Sequence, residues 1–495
     1  WGYQALGSNQ TGCNNNAIGC QALISNTTGS CNIAMGACAL YSNTTGCHNT
    51  AIGREALQSS LSGCHNFAAG TKALYSNSGG HHNTAIGCAA LYSNTTGTDN
   101  FAVGRQALQT HTTGTDNNAL GCQALYANTT GSWNNAIGCR GLKSNTTGSY
   151  NNAIGQAALY SNTTGDNNNA FGRNALNSNT CGCCNTAIGC AALKLNIEGC
   201  GNIAIGDEAL CANTTGGCNT AIGPNTLKTN TTGEHNTAIG NKALTLSLSG
   251  DHNFAAGHCA LYAGGVGGNN VGIGDCALRC NTTGCKNVVI GQRGMITNTT
   301  GKQNIALGTH PLNLNTTGDD NIGLGADALG KNTTGDDNVA IGDQALRCNT
   351  EGTGNVAVGP SSLHSNNTGN QNTAIGGLAL YCNSTGYANF GVGYEALRYN
   401  TTGSRNIALG TAALAGCSDG STASCNIAFG NESNRLSLSG CHNFAAGQCA
   451  LYSNYGGCYN TAIGLDALKC NTTGNYNAAI GWNALCSNTT GTDNQ

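Results

Sequence analysis

Apolar residues recur along this chain at a fixed spacing of seventeen. Each repeat reads Asn-x-Ala-Ile-Gly, two variable residues, Ala-Leu-x, and then a polar run, Ser-Asn-Thr-Thr-Gly-x-x, before the next Asn. Thus "NTAIGCAALYSNTTGTD" (83–99) is followed at once by "NFAVGRQALQTHTTGTD" (100–116). With the first Asn as position 1, the repeat starts at Asn15, Asn32, Asn49 and Asn66 and continues in steps of 17 to Asn406. A longer interval leads to Asn426, after which the step of 17 resumes to Asn494. There are 28 complete repeats, with partial ones at both ends. We read residues 1–495 as one continuous architecture of about 29 coils, expected to be an internal portion of a longer chain.

Seventeen residues are too few for two helices and a turn, and the glycine at position 5 of every repeat disfavours helix. The pattern predicts an all-β fold: a parallel β-solenoid or β-roll with one coil per repeat. Two short strands per coil are legible, around "TAIG" and "ALY". Residue i should pair with i+17 at the strand spacing of ~4.8 Å, giving a rod of roughly 140 Å. Alternation along a strand points positions 4 and 9 into the coil. Position 9 is Leu in 26 of 28 repeats, with Met295 and Asn434 the exceptions. Position 3 is Ala in 24 of 28, and position 8 is mostly Ala. Residues that small imply close packing, against the far wall of a thin coil or another chain. Asn at position 1 should cap its turn and ladder along the stack. The glycine at position 5 suits a positive φ or a close backbone approach.

Three extra residues form an enlarged loop at 415–425. A longer period lies above the first. "SLSGCHNFAAG" around Asn66 returns around Asn253 and Asn443. The first spacing, 253 − 66 = 187, is eleven repeats; the second, 443 − 253 = 190, adds the inserted three.

"NTAIGxxAL" resembles the head repeats of trimeric autotransporter adhesins. In that family an Asn-x-Ala-Ile-Gly-like strand recurs at a shorter period, and three chains form left-handed parallel β-rolls. The "AIGxxALxSNTTG" runs also resemble repeats of phage tail fibres and bacterial surface proteins. The resemblance implies the coil fold, a trimer and an adhesive role. The chain departs from that family in its period and in its 29 cysteines.

That many cysteines point to an oxidising, extracellular or cell-surface setting. Cysteines at one position of adjacent coils fall within disulfide reach. Cys47/Cys64, Cys183/Cys200 and Cys441/Cys458 share position 16, Cys122/Cys139 position 6, and Cys259/Cys276 position 7. Cys417 and Cys425 could close the enlarged loop. The competing reading is that Cys merely replaces Ser or Ala at variable sites.

Asn at position 12 heads an N-glycosylation sequon at Asn9, Asn26, Asn43, Asn94, Asn128, Asn145, Asn162, Asn213 and Asn230. The series continues at Asn281, Asn298, Asn315, Asn332, Asn366, Asn383, Asn400, Asn471 and Asn488. N-linked glycans along one exposed edge are the expectation; a plain Asn-Thr-Thr-Gly turn is the alternative.

A net charge of −3 with no basic stripe argues against nucleic-acid binding. No apolar run is long enough for a membrane span. No nucleophile–base pairing suggests an enzyme, and no cofactor is expected. Two stacked clusters leave a metal open. Asp319, Asp320, Asp336 and Asp337 sit at positions 16 and 17 of adjacent coils, where Ca²⁺ competes with solvated loops. His48, His65 and His82 share position 17, with His81 beside them.

The function expected is that of a structural subunit of a disulfide-stapled, glycosylated extracellular fibre. It would self-associate end to end or laterally, with a trimer as one arrangement. An adhesin or viral or phage receptor-binding fibre shaft is the alternative. An ice-binding solenoid ranks last, because its Thr residues are adjacent in a turn.

Overall fold

The computed structural model describes residues 2–495. Among them are 28 strands of three residues each and no helix. The chain divides into two compact units, Trp1–Ser249 and Gly250–Gln495. The first holds strands β1 (Asn16–Ile18) to β14 (Thr237–Ile239), and the second β15 (Phe254–Ala256) to β28 (Ala478–Ile480). Within each unit, successive strands pair in parallel. Asn16 faces Ile33 and Thr220 faces Thr237 in the first; Phe254 faces Val271 and Thr461 faces Ala478 in the second. The offset of 17 is broken once, where Ile407 faces Ile427 across the enlarged loop. Each unit is therefore a parallel β-solenoid of 17-residue coils.

Each coil has one strand, not the two expected. Positions 2–4 are extended, but the Ala-Leu segment is a run of turns. Its positions 7 and 9 adopt positive φ, as at Glu55 (+58°) and Leu57 (+52°), and position 17 does the same at His48 (+59°). This left-handed backbone costs about 1–2 kcal/mol for each such L-residue. Hydrogen bonds to both neighbouring coils offset it. Leu23 donates its N–H forward to Ala39 O (3.0 Å), while Cys38 donates backward to Cys20 O (2.9 Å).

That backbone decides what is inside. In the strand only position 3 turns inward: Ala34, Ala51 and Ala68 are fully buried. In the turn segment positions 8 and 9 are both inside, as Ala56 and Leu57 show. Strict alternation would have buried only one of them. The core is thus two alanines and one leucine per coil, and each leucine contributes about 2–3 kcal/mol. The expectation for position 4 fails. Ile18, Ile52 and their equivalents point outward, and Ile52 is 41% exposed. A core walled by alanine at positions 3 and 8 has no room for a second branched column. The smallness of those residues reflects the far wall of a thin coil.

Two asparagine columns complete the interior. At position 1, Asn49 Nδ2 donates to Asn32 Oδ1 (3.2 Å) and to Gly63 O (2.7 Å), and its backbone N–H also donates to Asn32 Oδ1 (3.0 Å). At position 12, Asn43 Nδ2 donates to Asn26 Oδ1 (2.7 Å) and to Gly46 O (3.1 Å). Position 5 meets both expectations for its glycine. Gly53 has φ of +126°, and a Cβ there would lie 2.7 Å from Gly70 O.

Candidate functional surfaces

Because positions 2 and 4 flank the buried alanine of one strand, they form two outward columns on a single face. Position 4 supplies Ile18, Met35, Ile52, Ile86 and Ile137 in the first unit, and Ile290, Ile341, Ile375 and Ile463 in the second. Position 2 adds Ile33, Phe67, Phe101 and Ile203, then Phe254, Ile305 and Phe390; Phe101 is 39% exposed and Phe390 40%. Single exposed apolar residues are ordinary, but a contiguous patch of several hundred Å² marks an interaction surface.

The sequon asparagines are not on an exposed edge. Asn26, Asn43, Asn94, Asn128, Asn145, Asn162, Asn213 and Asn230 are buried in the first unit. So are Asn281, Asn298, Asn315, Asn332, Asn366, Asn383, Asn400 and Asn471 in the second. Asn145 is representative: its Nδ2 donates to Asn128 Oδ1 (2.7 Å) and Gly148 O (2.8 Å). Both amide hydrogens are used, so a sugar on that nitrogen would break the ladder and could not fit inside the coil. Of the position-12 sites, Asn9 is exposed and Asn488 partly open, both in the outermost coils. The position-13 hydroxyls are also occupied: Thr146 Oγ1 donates to Thr163 O (3.0 Å).

Position 16 has a recurring role. Where it is Ser, Asp, Asn, Cys or His, its side chain accepts in many coils the backbone N–H of position 16 in the preceding coil. Ser132 Oγ accepts from Thr115 (3.0 Å), Asp166 Oδ1 from Ser149 (2.7 Å), and Asn475 Oδ1 from Cys458 (2.7 Å). Cysteine does the same with sulfur, as in Cys47 N–H to Cys64 Sγ (3.1 Å). Of the four aspartates proposed for Ca²⁺, Asp319 and Asp336 belong to this column. Lys302 N–H donates to Asp319 Oδ1 (2.7 Å), and Asp319 N–H to Asp336 Oδ1 (2.8 Å). Asp320 and Asp337 donate their own N–H groups to Lys302 O and Asp319 O.

Two of the five cysteine pairs bring their sulfurs into contact: Cys183/Cys200 at 3.0 Å and Cys441/Cys458 at 2.8 Å. The hydrogen bond to Cys200, followed by burial, pushes the Cys183 thiol up to about 12. Burial, followed by the bond to Cys458, pushes Cys441 up to about 11. Elsewhere sulfur meets other partners. Cys122 Sγ accepts from Arg105 Nη2 (3.6 Å), one coil back from Cys139, and Cys417 Sγ approaches Leu436 O (3.9 Å). Cys259 lies against His258 and Cys276 against Asp275.

The position-17 histidines stack face to face, with ring centroids 4.8 Å apart for His48/His65 and 5.0 Å for His65/His82. Parallel rings hold their nitrogens side by side and do not converge them on one point. Beside them, His81 Nδ1 accepts Cys64 N–H (3.0 Å). Among the described residues, one group does bring three donor atoms within 4.8 Å of one another: His258, Asp275 and Cys276. Reading the sequence by matching like with like missed it, because the donors are of different types on adjacent coils. No helix of the described residues is long and apolar enough to cross a membrane. No protein-family model matches the chain, and no curated protein sequence is similar to it.

Proposed function

We propose that this chain is a non-enzymatic structural subunit of an extracellular fibre, associating laterally with further copies of itself through the strand face. The observation that carries the reading is the apolar column at position 4, which each unit repeats over 14 strands. Position 2 widens it with apolar residues in four strands of the first unit and twelve of the second, and is Asn or Thr in the others. At roughly 70 Å² of exposed apolar surface per isoleucine, a unit offers on the order of 1,000 Å², the scale of a specific interface. The columns are corrugated at ~4.8 Å, and a second copy of the chain carries the same spacing. The resemblance of "NTAIGxxAL" to trimeric autotransporter head repeats makes three chains the arrangement to test first. The extracellular placement rests on the 29 cysteines.

The test is sedimentation equilibrium of the purified chain beside a variant carrying Ile86→Lys, Ile137→Lys and Ile188→Lys in the first unit and Ile341→Lys, Ile375→Lys and Ile463→Lys in the second. These side chains point to solvent, so the coil should still form, as circular dichroism would verify. The wild type should be a multimer and the variant a monomer. A monomeric wild type at micromolar concentration would defeat the proposal.

A further inference from the structure

We propose that His258, Asp275 and Cys276 form a binding site for a borderline-soft divalent cation of the Zn²⁺ class, clipping two adjacent coils of the second unit. His258 and Asp275 both stand at position 6, one coil apart, and Cys276 follows Asp275. His258 Nδ1 lies 3.1 Å from Asp275 Oδ1, and Cys276 Sγ lies 3.8 Å from the same oxygen. For tetrahedral zinc with ordinary bond lengths, donor-to-donor edges are about 3.3 Å for N to O and about 3.6 Å for S to O. Two edges therefore stand close to where zinc would hold them, the third lies within 4.8 Å, and a fourth position opens to solvent at the exposed His258.

The donor set selects the ion. One sulfur, one imidazole nitrogen and one carboxylate oxygen suit zinc or cobalt; Ca²⁺ and Mg²⁺ prefer oxygen alone. A supporting partner is already placed. Cys259 Sγ lies 3.5 Å from His258 Nε2, so with Nδ1 on the metal the Nε2–H donates to that sulfur and fixes the ring. Cys276 would release its proton to solvent on binding, since thiolate is the ligand. With the cation bound, Cys276 is committed to it and does not pair with Cys259.

The experiment is a Co²⁺ titration of the full 495-residue chain, reduced and anaerobic, followed by the thiolate-to-cobalt charge-transfer absorption and reversed with Zn²⁺. Other cysteines will contribute background, so the readout is the difference between proteins. Cys276→Ser, Asp275→Asn and His258→Gln should each remove or cripple the same single equivalent. Cys259→Ser should keep that equivalent and weaken it about tenfold to a hundredfold. His258 is exposed, Asp275 and Cys276 are half-buried and Cys259 is buried, so hydrogen exchange over 253–286 serves as the fold control. Unchanged stoichiometry and affinity in all three ligand variants would overturn the site. So would a Cys259–Cys276 disulfide in the chain as isolated without reductant.

Discussion

Asn434 occupies position 9 in a column where 26 of 28 repeats have leucine. It is fully buried, and neither its Nδ2 nor its Oδ1 has a hydrogen-bond partner. Replacing it with leucine should stabilise that coil. Two unpaired buried groups disfavour the fold by about 1–3 kcal/mol each. A buried leucine adds about 2–3 kcal/mol of transfer free energy. Against this, Asn434 has φ of +49°, and leucine tolerates that region less well, by up to about 1–2 kcal/mol. The same column shows that the term is affordable, since Leu451, one coil on, has φ of +54°. The net gain should be about 2–8 kcal/mol.

A melting temperature is the wrong measurement, because stacked repeats open locally. Hydrogen exchange read by mass spectrometry over 426–451 isolates the coil. At 1.4 kcal/mol per decade, protection should rise at least tenfold in Asn434→Leu, while peptides ten coils away stay unchanged. Asn434→Ala should gain less, because it removes the unpaired amide but leaves a cavity. If Asn434→Leu left protection unchanged or lowered it, the assignment of position 9 as a dry leucine column would be refuted there.

Other expectations follow from the same columns. Ser60 interrupts the position-12 ladder and leaves Asn43 Oδ1 without a donor, so Ser60→Asn should add about 1–3 kcal/mol of local stability, read by exchange over 43–77. His111 also stands in that ladder, with Nε2 donating to Gly114 O (2.8 Å) and Nδ1 accepting from Asn128 Nδ2 (3.1 Å); burial holds its pKa below the ordinary value. Its neutral form therefore supports the fold fully above the unfolded pKa of about 6.5, and stability falls as pH drops through it; His111→Asn should abolish that dependence in exchange measured from pH 8 to 5. Mild oxidation should link Cys183 to Cys200 and Cys441 to Cys458 before other cysteines, each closing a loop worth roughly 3 kcal/mol; peptide mapping that finds these four as free thiols while others pair would contradict the contact geometry.

Much of the coil was legible. The period fixed the register, and the recurring leucine fixed one wall of the core. Asn at position 1 ladders as expected, and glycine at position 5 has both the positive φ and the close backbone approach expected of it. What misled was the assumption of a second regular strand. The unbroken apolar column at position 4 placed Ile52 inside, but the inward residue of its strand is Ala51, and positive φ at Glu55 and Leu57 then turns both Ala56 and Leu57 into the core. No residue type there announces a left-handed backbone, since Glu, Gln, Lys, Ala and Cys all occupy position 7. The sequons misled for a different reason. An Asn that accepts a glycan and an Asn that ladders inside a turn share the same Asn-Thr-Thr-Gly spelling, and only burial separates them.

The longer period acquires a physical meaning from the ladder. Position 12 is Ser60, Ser247 and Ser437 in the three "SLSG" coils, spaced 247 − 60 = 187 and 437 − 247 = 190. All three hydroxyls are buried without a partner. In the two coils preceding Ser60 and Ser247, Asn43 and Asn230 carry an Oδ1 that nothing donates to. The third "SLSG" coil also contains Asn434. Copying eleven coils at a time thus copied the defect with them, and the amide ladder is segmented into bonded runs separated by weak coils. A uniform stack would open from its ends; a segmented one opens at its serines as well. If that holds, limited proteolysis of the wild type should cut first near 60, 247 and 437. The triple variant Ser60→Asn, Ser247→Asn, Ser437→Asn should lose those cuts together. Persistence of all three cuts in the triple variant would place the weakness in the loop sequence and not in the ladder.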